Sequence, residues 1–383
     1  MKISVLCPSL SGNGLGRAYI LALALRRHYE VEIVGPMPTG KLWPPCERVE
    51  IPIKSVPGAF YPGGASFRAL LRLIDGDVVY AIKPMLASYG TALLKKLSDR
   101  TPVVLDIDDW QRMFTTDDGR RRIPGLRTLR TSPNSHFYLW LMERCIFAAD
   151  AVTTVSTFLN EKFGNRGTLV PHGRDVNLFD PDRVERMTLD DHRLAGCKII
   201  MFLGTPRPHK GLEDIVAAVR GLNGTNVRVV VVGVEEGNAF MEELARANAG
   251  LLATVGLVPF HDLPRYLAMA DLVVLPQKRD ARTLGQVPAK LIDAMSMARP
   301  IIATAVSDIP QILDGCGWVV EPDDVEQLRQ TIAYVLANAD VAAEMGRRAR
   351  AKCIAEFSLE RMEEALTHVF GRFETSRRAG SSA

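Results

Sequence analysis

The chain starts a parallel α/β pattern twice, and that repetition limits the folds open to it. A short apolar run, Ile3–Leu6, leads through the loop Ser9–Gly16 into a helical pattern from about Arg17 to Arg27. Strand-like runs follow at Val31–Val34, Asp77–Ala81, Val103–Asp106, Ala151–Val155 and Leu169–Val170. Ser156 stands where an N-cap is needed for a helix over Thr157–Phe163. The pattern then begins again with a strand at Ile199–Leu203, a helix at Leu212–Arg220, a strand at Val227–Val232 and a helix at Ala239–Asn248. Further strands fall near Thr254–Val255, Leu272–Leu275, Ile301–Ala303 and Trp318–Val320, and helices over Val325–Asn338, Val341–Phe357 and Leu359–Phe373. Short β-branched runs alternating with longer helical ones make a parallel sheet covered by helices. Two such sheets bring their carboxyl strand ends, where ligands bind, around a shared crevice.

The expected organisation is a first domain over 1–182, a linker over 183–197, a second domain over 198–358, a helix over 359–374 packing back toward the first domain, and a disordered tail over 375–383. The linker assignment rests on the polar stretch Pro181–Cys197, which lacks clean periodicity. A length of 383 residues suits two domains of ordinary size. With 47% apolar and 24% charged residues the chain can build real cores. A net charge of +3 supplies no bulk field for nucleic acid, so no nucleic-acid partner is expected. The six cysteines (7, 46, 145, 197, 316 and 353) form no Cys-x-x-Cys pair, which argues for buried free thiols in a reducing compartment. The start of the chain turns into a glycine-rich loop too soon for a signal peptide, and no apolar run spans a membrane. A cytoplasmic protein, at most peripheral to the inner face of a membrane, is expected.

Three constellations lie in loops after strands. In Ser11-Gly12-Asn13-Gly14-Leu15-Gly16-Arg17, the glycines Gly12, Gly14 and Gly16 let backbone approach a phosphate or sugar, or simply make a tight turn. A dinucleotide fingerprint needs a further small residue where Arg17 or Tyr19 stands, and the second strand ends in Gly35 rather than an acid. NAD and FAD binding are therefore not expected. In Gly204-Thr205-Pro206-Arg207-Pro208-His209-Lys210-Gly211, two cations in a proline-stiffened loop suit a diphosphate, with a solvated basic loop as the alternative. His209 alone reads as exposed filler. In Gly285–Met295, Pro288 suits a first helical turn whose free N–H groups point at an anion. Lys290 and Asp293, three apart on that helix, can add positive charge and accept ribose hydroxyls, or form a plain surface pair.

These stretches resemble glycosyltransferase family 4 of GT-B fold. The likeness runs through Gly204–Gly211, His261–Asp271, Lys290–Met295 with Arg299-Pro300-Ile301-Ile302, Gly317–Val320 and Pro322-Asp323-Asp324. Pro171-His172-Gly173-Arg174-Asp175, with Phe179 and Pro181, is similar to the family's P-N-G-x-D-x-x-x-F-x-P. The resemblance covers nearly the whole chain and is looser from Pro36 to Arg144. It implies two Rossmann-like domains facing an interdomain cleft, and a retaining transferase that moves a sugar from a nucleoside diphosphate sugar to an acceptor hydroxyl without an obligatory metal or other cofactor. The acceptor would be a sugar, a lipid-linked molecule or a small molecule held by the N-terminal domain. Family roles fall on Lys210 for the diphosphate, Asp293 for the ribose, Pro288, Ala289 and Lys290 for phosphate, and Leu257 and Val258 for the base. Gly204 and Thr205 complete the donor set, and Arg207 joins Lys210 in stabilising the leaving group. Alternatives are a GT-B-like nucleotide-binding pseudoenzyme and a nucleotide-sugar epimerase.

The sequence departs from the family in places. Thr205 stands where the family has an arginine, and the Glu-x7-Glu motif keeps only Asp293, with Gly285 in the first position. The loop from Pro276 to Asp293 is longer than usual, and Asp280 within it is a candidate for the missing acid. Asp106-Ile107-Asp108-Asp109-Trp110 ends a strand of the first half. Asp108 and Asp109 are read as acceptor contacts or catalytic aids, with structural capping and a metal pair as the other readings. Arg112, Arg120, Arg121, Arg122, Arg127 and Arg130 form a basic run that suits an anionic acceptor, a membrane surface or plain solvation.

Overall fold

A computed structural model of the chain describes residues 1–58, 60, 64–115, 133–189, 194–222 and 226–380, with side chains as far as 374. The chain divides into two compact units, Met1–His172 with Leu359–Ala383, and Gly173–Ser358.

The first unit is built on strands β1 (Lys2–Leu6), β2 (Glu30–Met37), β3 (Ile53–Pro57), β4 (Val78–Ile82), β5 (Val103–Ile107), β6 (Ala151–Thr154) and β7 (Gly167–Leu169). All pair in parallel in the order β3-β2-β1-β4-β5-β6-β7. The inner strands β4 and β5 are buried at every residue, which is why they read as unbroken apolar runs. Edge strand β3 carries Lys54, Ser55 and Pro57, so sequence reasoning passed over it. The helix Gly14–Leu25 begins three residues before the expected start at Arg17, taking Gly14 and Gly16 into its first turn. Ser156 caps its helix as expected, accepting the Leu159 N–H at 3.2 Å.

The helix Leu359–Gly380 belongs to this first unit and packs on the helix Gly14–Leu25. Phe370 meets Tyr80 edge-on at 5.2 Å and Tyr29 at 6.2 Å. Arg27 reaches Glu360 and Glu363 at 2.9 and 2.7 Å. The helix continues through Gly380, so residues 375–380 are helical rather than the disordered tail expected. The arginines and alanine there are fair helix formers, which the polar composition concealed. Residues 381–383 lie outside the described residues.

In the second unit, β8 (Lys198–Leu203), β9 (Val227–Val234), β10 (Leu252–Gly256), β11 (Leu272–Leu275), β12 (Ile301–Thr304) and β13 (Trp318–Val320) form a parallel sheet. Its order, β10-β9-β8-β11-β12-β13, repeats that of the first. Met201, Leu291 and Met295 fill one face, and Leu212, Ile215 and Ile332 the other. This unit begins at Gly173, not after a linker at 183–197. Phe179 is fully buried in its core, and Val184, Met187 and Leu189 pack on the same cluster. These apolar residues follow neither a helical nor a strand period, so the segment looked unstructured. Residues 190–193 of the expected linker lie outside the described residues.

All six cysteines are free, four of them (Cys7, Cys46, Cys316, Cys353) buried. Among the described residues no helix is long and apolar enough to cross a membrane. In both sheets the winding reverses next to the first strand, between β1 and β4 and between β8 and β11. Ligands bind at such reversals, beyond the carboxyl strand ends.

Candidate active site

In the second unit the structure brings the two cationic constellations together. Gly204 directly follows β8, and its φ of +98° is a conformation side chains disfavour. A Cβ placed there would lie 2.6 Å from Cε and 3.2 Å from Nζ of Lys290. The ammonium of the third constellation thus sits over the first residue of the second, although 86 positions separate them in the chain. Thr205 donates to Glu235 at 3.2 Å, and Asn238 holds the Pro206 carbonyl at 3.2 Å. Pro208–Lys210 make one tight turn, ended by Gly211 at φ +70°. A Cβ on Gly211 would fall 1.9 Å from the Pro276 carbonyl oxygen, so only glycine lets the loop close against the end of β11. Arg207 is exposed and Lys210 half-buried.

His209 is buried, contrary to the reading of it as filler. Burial lowers its pKa to about 4, helped by the charges of Lys210, Arg282 and Arg207 against the opposing pull of Asp280. At neutral pH it is an uncharged spacer between cations.

The helix Ala289–Ser296 starts one residue after Pro288, whose ψ of 127° is extended, so the proline precedes the first turn rather than occupying it. Lys290 and Asp293 do not act as a surface pair. Asp293 turns inward, 4% exposed, into an ion pair with Nε of Arg174. The Arg174 guanidinium also donates to the Gly173 carbonyl at 2.7 Å and lies over the Phe260 ring at 5.3 Å. Asp293 is therefore an internal anchor of the helix, not a carboxylate open to a ribose. Arg174 stood in a variable position of the resembling motif and gave no signal in the sequence. Leu257 and Val258 follow edge strand β10, both half-buried, with Val258 packed on the core. Asp280 is committed to the guanidinium and backbone N–H of Arg282. Burial raises its pKa, but the bonds to Arg282 outweigh it and hold the carboxyl below its ordinary value. Gly285 lies in the same loop, between that pair and the helix.

In the first unit, Arg17 replaces the glycine of a dinucleotide loop with a buried guanidinium. It grips Asp106 through two bonds of 3.0 and 2.9 Å and the Val170 carbonyl at 2.8 Å. Tyr80 and Thr153 add bonds of 3.3 and 2.7 Å to the same carboxylate. Gly16 makes room for Trp43, a Cβ on Gly14 would lie in ordinary contact with Pro8 and Lys83, and one on Gly12 would touch only Ser9. Asp108 and Asp109 follow β5, and both meet the buried ammonium of Lys83, Asp108 at 3.1 Å. The Asp-x-Asp carboxylates thus face cations of the chain itself. Among the described residues no three His, Cys, Asp or Glu side chains are grouped to hold a metal ion. Of the basic run, Arg112 pairs with Glu143 at 3.1 Å. Arg120, Arg121, Arg122, Arg127 and Arg130 lie outside the described residues.

Residues 16–176 match the model of the glycosyl transferase 4-like domain, and residues 197–338 that of glycosyl transferases group 1. The chain belongs to this glycosyltransferase family. Its two Rossmann-like units are those of the GT-B fold. Among relatives of the chain, the alpha-maltose-1-phosphate synthase of Mycolicibacterium smegmatis is 26% identical over 60% of this chain and 65% of its own length. A GDP-mannose-dependent monoacylated alpha-(1-6)-phosphatidylinositol monomannoside mannosyltransferase of Corynebacterium glutamicum is 25% identical over 57% of this chain and 61% of its own. The matches to these two relatives thus span less than two thirds of their lengths. Of solved structures, sucrose-phosphate synthase from Thermosynechococcus elongatus superposes with a TM-score of 0.73 at 15% identity, covering 98% of this chain and 100% of that one. Anabaena Alr3699/HepE in complex with UDP-glucose gives 0.73 at 16% identity, covering 97% and 100%.

Proposed function

We propose that the protein transfers a sugar from a nucleoside diphosphate sugar to an acceptor hydroxyl, with retention at the anomeric carbon and without an obligatory metal. The observation that carries this reading is the convergence of Lys290 on Gly204, at the head of the loop bearing Arg207 and Lys210. Three cations and the amino end of the helix Ala289–Ser296 then surround one strand end, a setting for a diphosphate. They stabilise the charge that develops on the departing nucleotide, which is electrostatic catalysis of the leaving group. Leu257 and Val258 offer an apolar edge to the base. Asp108 and Asp109 orient the acceptor in the first unit. A relative that uses GDP-mannose and a solved neighbour holding UDP-glucose support a donor of this class.

The test is thermal unfolding with a panel of nucleotide sugars that includes UDP-glucose and GDP-mannose, followed by product analysis with candidate acceptors. Ligand at 100 times its Kd adds about 2.7 kcal/mol to stability. Lys210→Ala and Lys290→Ala should each remove about half of that gain or more and lower transfer at least about tenfold, in line with about 1.5–3 kcal/mol per charged hydrogen bond. Full transfer by Lys210→Ala, or turnover that needs an added divalent ion, would refute the scheme. Contact with a membrane through the Arg112–Arg130 segment is part of the same proposal, and absence of binding to anionic vesicles at low salt removes it.

A further inference from the structure

Within the second unit one buried amide stands between the turn that bears Lys210 and the helix that bears Lys290. Gln277 lies two residues beyond β11, the strand next to β8 across the point where the winding reverses, and is 3% exposed. Its chain neighbours bracket Lys210. The Pro276 carbonyl rests against Gly211, and the Lys278 N–H donates to the His209 carbonyl at 3.1 Å. The Gln277 carbonyl accepts from the Thr304 hydroxyl, at the end of β12, at 2.6 Å. Its side-chain Nε2 donates to Oε1 of Gln286 at 3.3 Å, nine positions on. Gln286 stands two residues before Pro288 and four before Lys290.

The stretch between the two glutamines is folded on itself. Thr283, fully buried, donates its hydroxyl to the Lys278 carbonyl at 2.6 Å, and its own carbonyl accepts from the Gln286 N–H at 2.9 Å. The loop therefore closes without help from the Gln277 side chain. Stability does not account for the amide either. Its Oε1 is shielded from solvent and, among the described residues, accepts no hydrogen bond. A buried acceptor left unsatisfied costs free energy, and it asks for an explanation. Methionine has about the same length and would fill the space without that cost. The amide is explained by what it joins, the Lys210 turn on one side and the approach to the Lys290 helix on the other.

We infer that Gln277 is a positioning residue of the donor site, which through Gln286 fixes the spacing of the elements that carry Lys210 and Lys290. The inference rests on the transfer reading above. Two ammonium groups brought to one strand end repel each other, so the elements bearing them part unless something holds them together. Holding them in place before the diphosphate arrives lowers the ordering cost of binding. It also keeps the charges aimed where the leaving group gathers its own, which is the condition for electrostatic catalysis. Gln277 itself makes no bond to the substrate in this scheme. It acts through the two lysines.

The experiment compares Gln277→Met, Gln286→Met and the double variant with the wild-type chain. It measures turnover of UDP-glucose and GDP-mannose, binding of UDP and GDP, thermal unfolding and amide hydrogen exchange. Gln277→Met should lower kcat/KM by about 10–100-fold, the effect of cations misplaced by about 1 Å, and should weaken nucleoside diphosphate binding as well. Its Tm should stay within about 4 °C of the wild type. A purely structural glutamine would do the reverse, lowering Tm and leaving the constants of the folded enzyme alone. Gln286→Met should reproduce the kinetic loss, and it keeps the test open if Gln277→Met does not fold. The double variant should be no worse than either single one, because both remove the same bond. Without nucleotide, the Lys278 and Gln286 amide hydrogens should exchange faster in Gln277→Met while that of Val273 in β11 is unchanged. The inference is overturned if kcat/KM stays within about twofold of the wild type, if the two single losses add in the double variant, or if exchange at Lys278 and Gln286 is unmoved. A wild type that neither binds nor turns over these nucleotides counts against the transfer reading, and the exchange then upholds or overturns the Gln277 bridge independently.

Discussion

Arg17→Met isolates the interaction that fixes the top of the first unit. Arg17 and Asp106 have side chains 2% and 0% exposed, and the guanidinium donates to Asp106 Oδ1, Asp106 Oδ2 and the carbonyls of Val170 and Pro171. Removing it leaves a carboxylate in the core with, among the described residues, the Tyr80 and Thr153 hydroxyls as its side-chain donors. Breaking a buried pair from one side costs about 3–5 kcal/mol. For a domain of this size that lowers Tm by about 6–20 °C. The variant can keep the carboxyl buried by protonating it, so its folded form binds a proton that the unfolded form releases at neutral pH. By linkage its deficit therefore shrinks as pH is lowered. The double variant Arg17→Met/Asp106→Leu should recover much of the loss, because an apolar pair of similar volume replaces a buried ion pair at little cost. Tyr80 and Thr153 still bond one another at 2.7 Å in that background. Urea unfolding at pH 5 and 7.5 measures all of this. A loss below about 1 kcal/mol, the value of an exposed pair, would refute the reasoning, as would a double variant no more stable than the single.

Gly211→Ala combines a left-handed backbone, about 1–2 kcal/mol, with a forced shift of the Pro276 carbonyl, about 1–3 kcal/mol more. Thermal unfolding should show it, and an unchanged Tm would contradict the closeness of loop and strand. Arg174→Met strands Asp293 in the core and should cost about 3–5 kcal/mol by urea unfolding; a neutral outcome would mean Asp293 is open to water. His209, with its pKa lowered to about 4, binds fewer protons folded than unfolded, so its contribution to stability is lost as pH falls from about 6.5 towards 4. His209→Asn should flatten that limb of the stability profile, and an unaltered limb would point to another group.

The sheets were legible because buried parallel strands are written as unbroken apolar runs. Leu272–Leu275, buried at every residue, matches its expected ends residue for residue. Edge strand β3 and the coil over 173–189 were not, since one mixes polar residues with proline and the other follows the contour of a core rather than a period. The loops bearing Gly204–Gly211 and Lys290 could be named from local residue types, but their meeting could not. Side chains that act through distant partners were hidden for the same reason. Arg17 showed only as a failed glycine position and Arg174 as a motif's free position, because Asp106 and Asp293 lie 89 and 119 residues further along. Lys83 gave no local signal at all.

The first unit is assembled from two separated stretches, and this has a bearing on the order of folding. Residues 173–358 are contiguous and can complete their sheet as they emerge from the ribosome. Residues 1–172 cannot cover the outer side of the helix Gly14–Leu25, or the rings of Tyr29 and Tyr80, until Leu359–Gly380 has been made. A nascent chain stopped at 358 should therefore carry a protease-resistant second half beside a first half that is still cleaved.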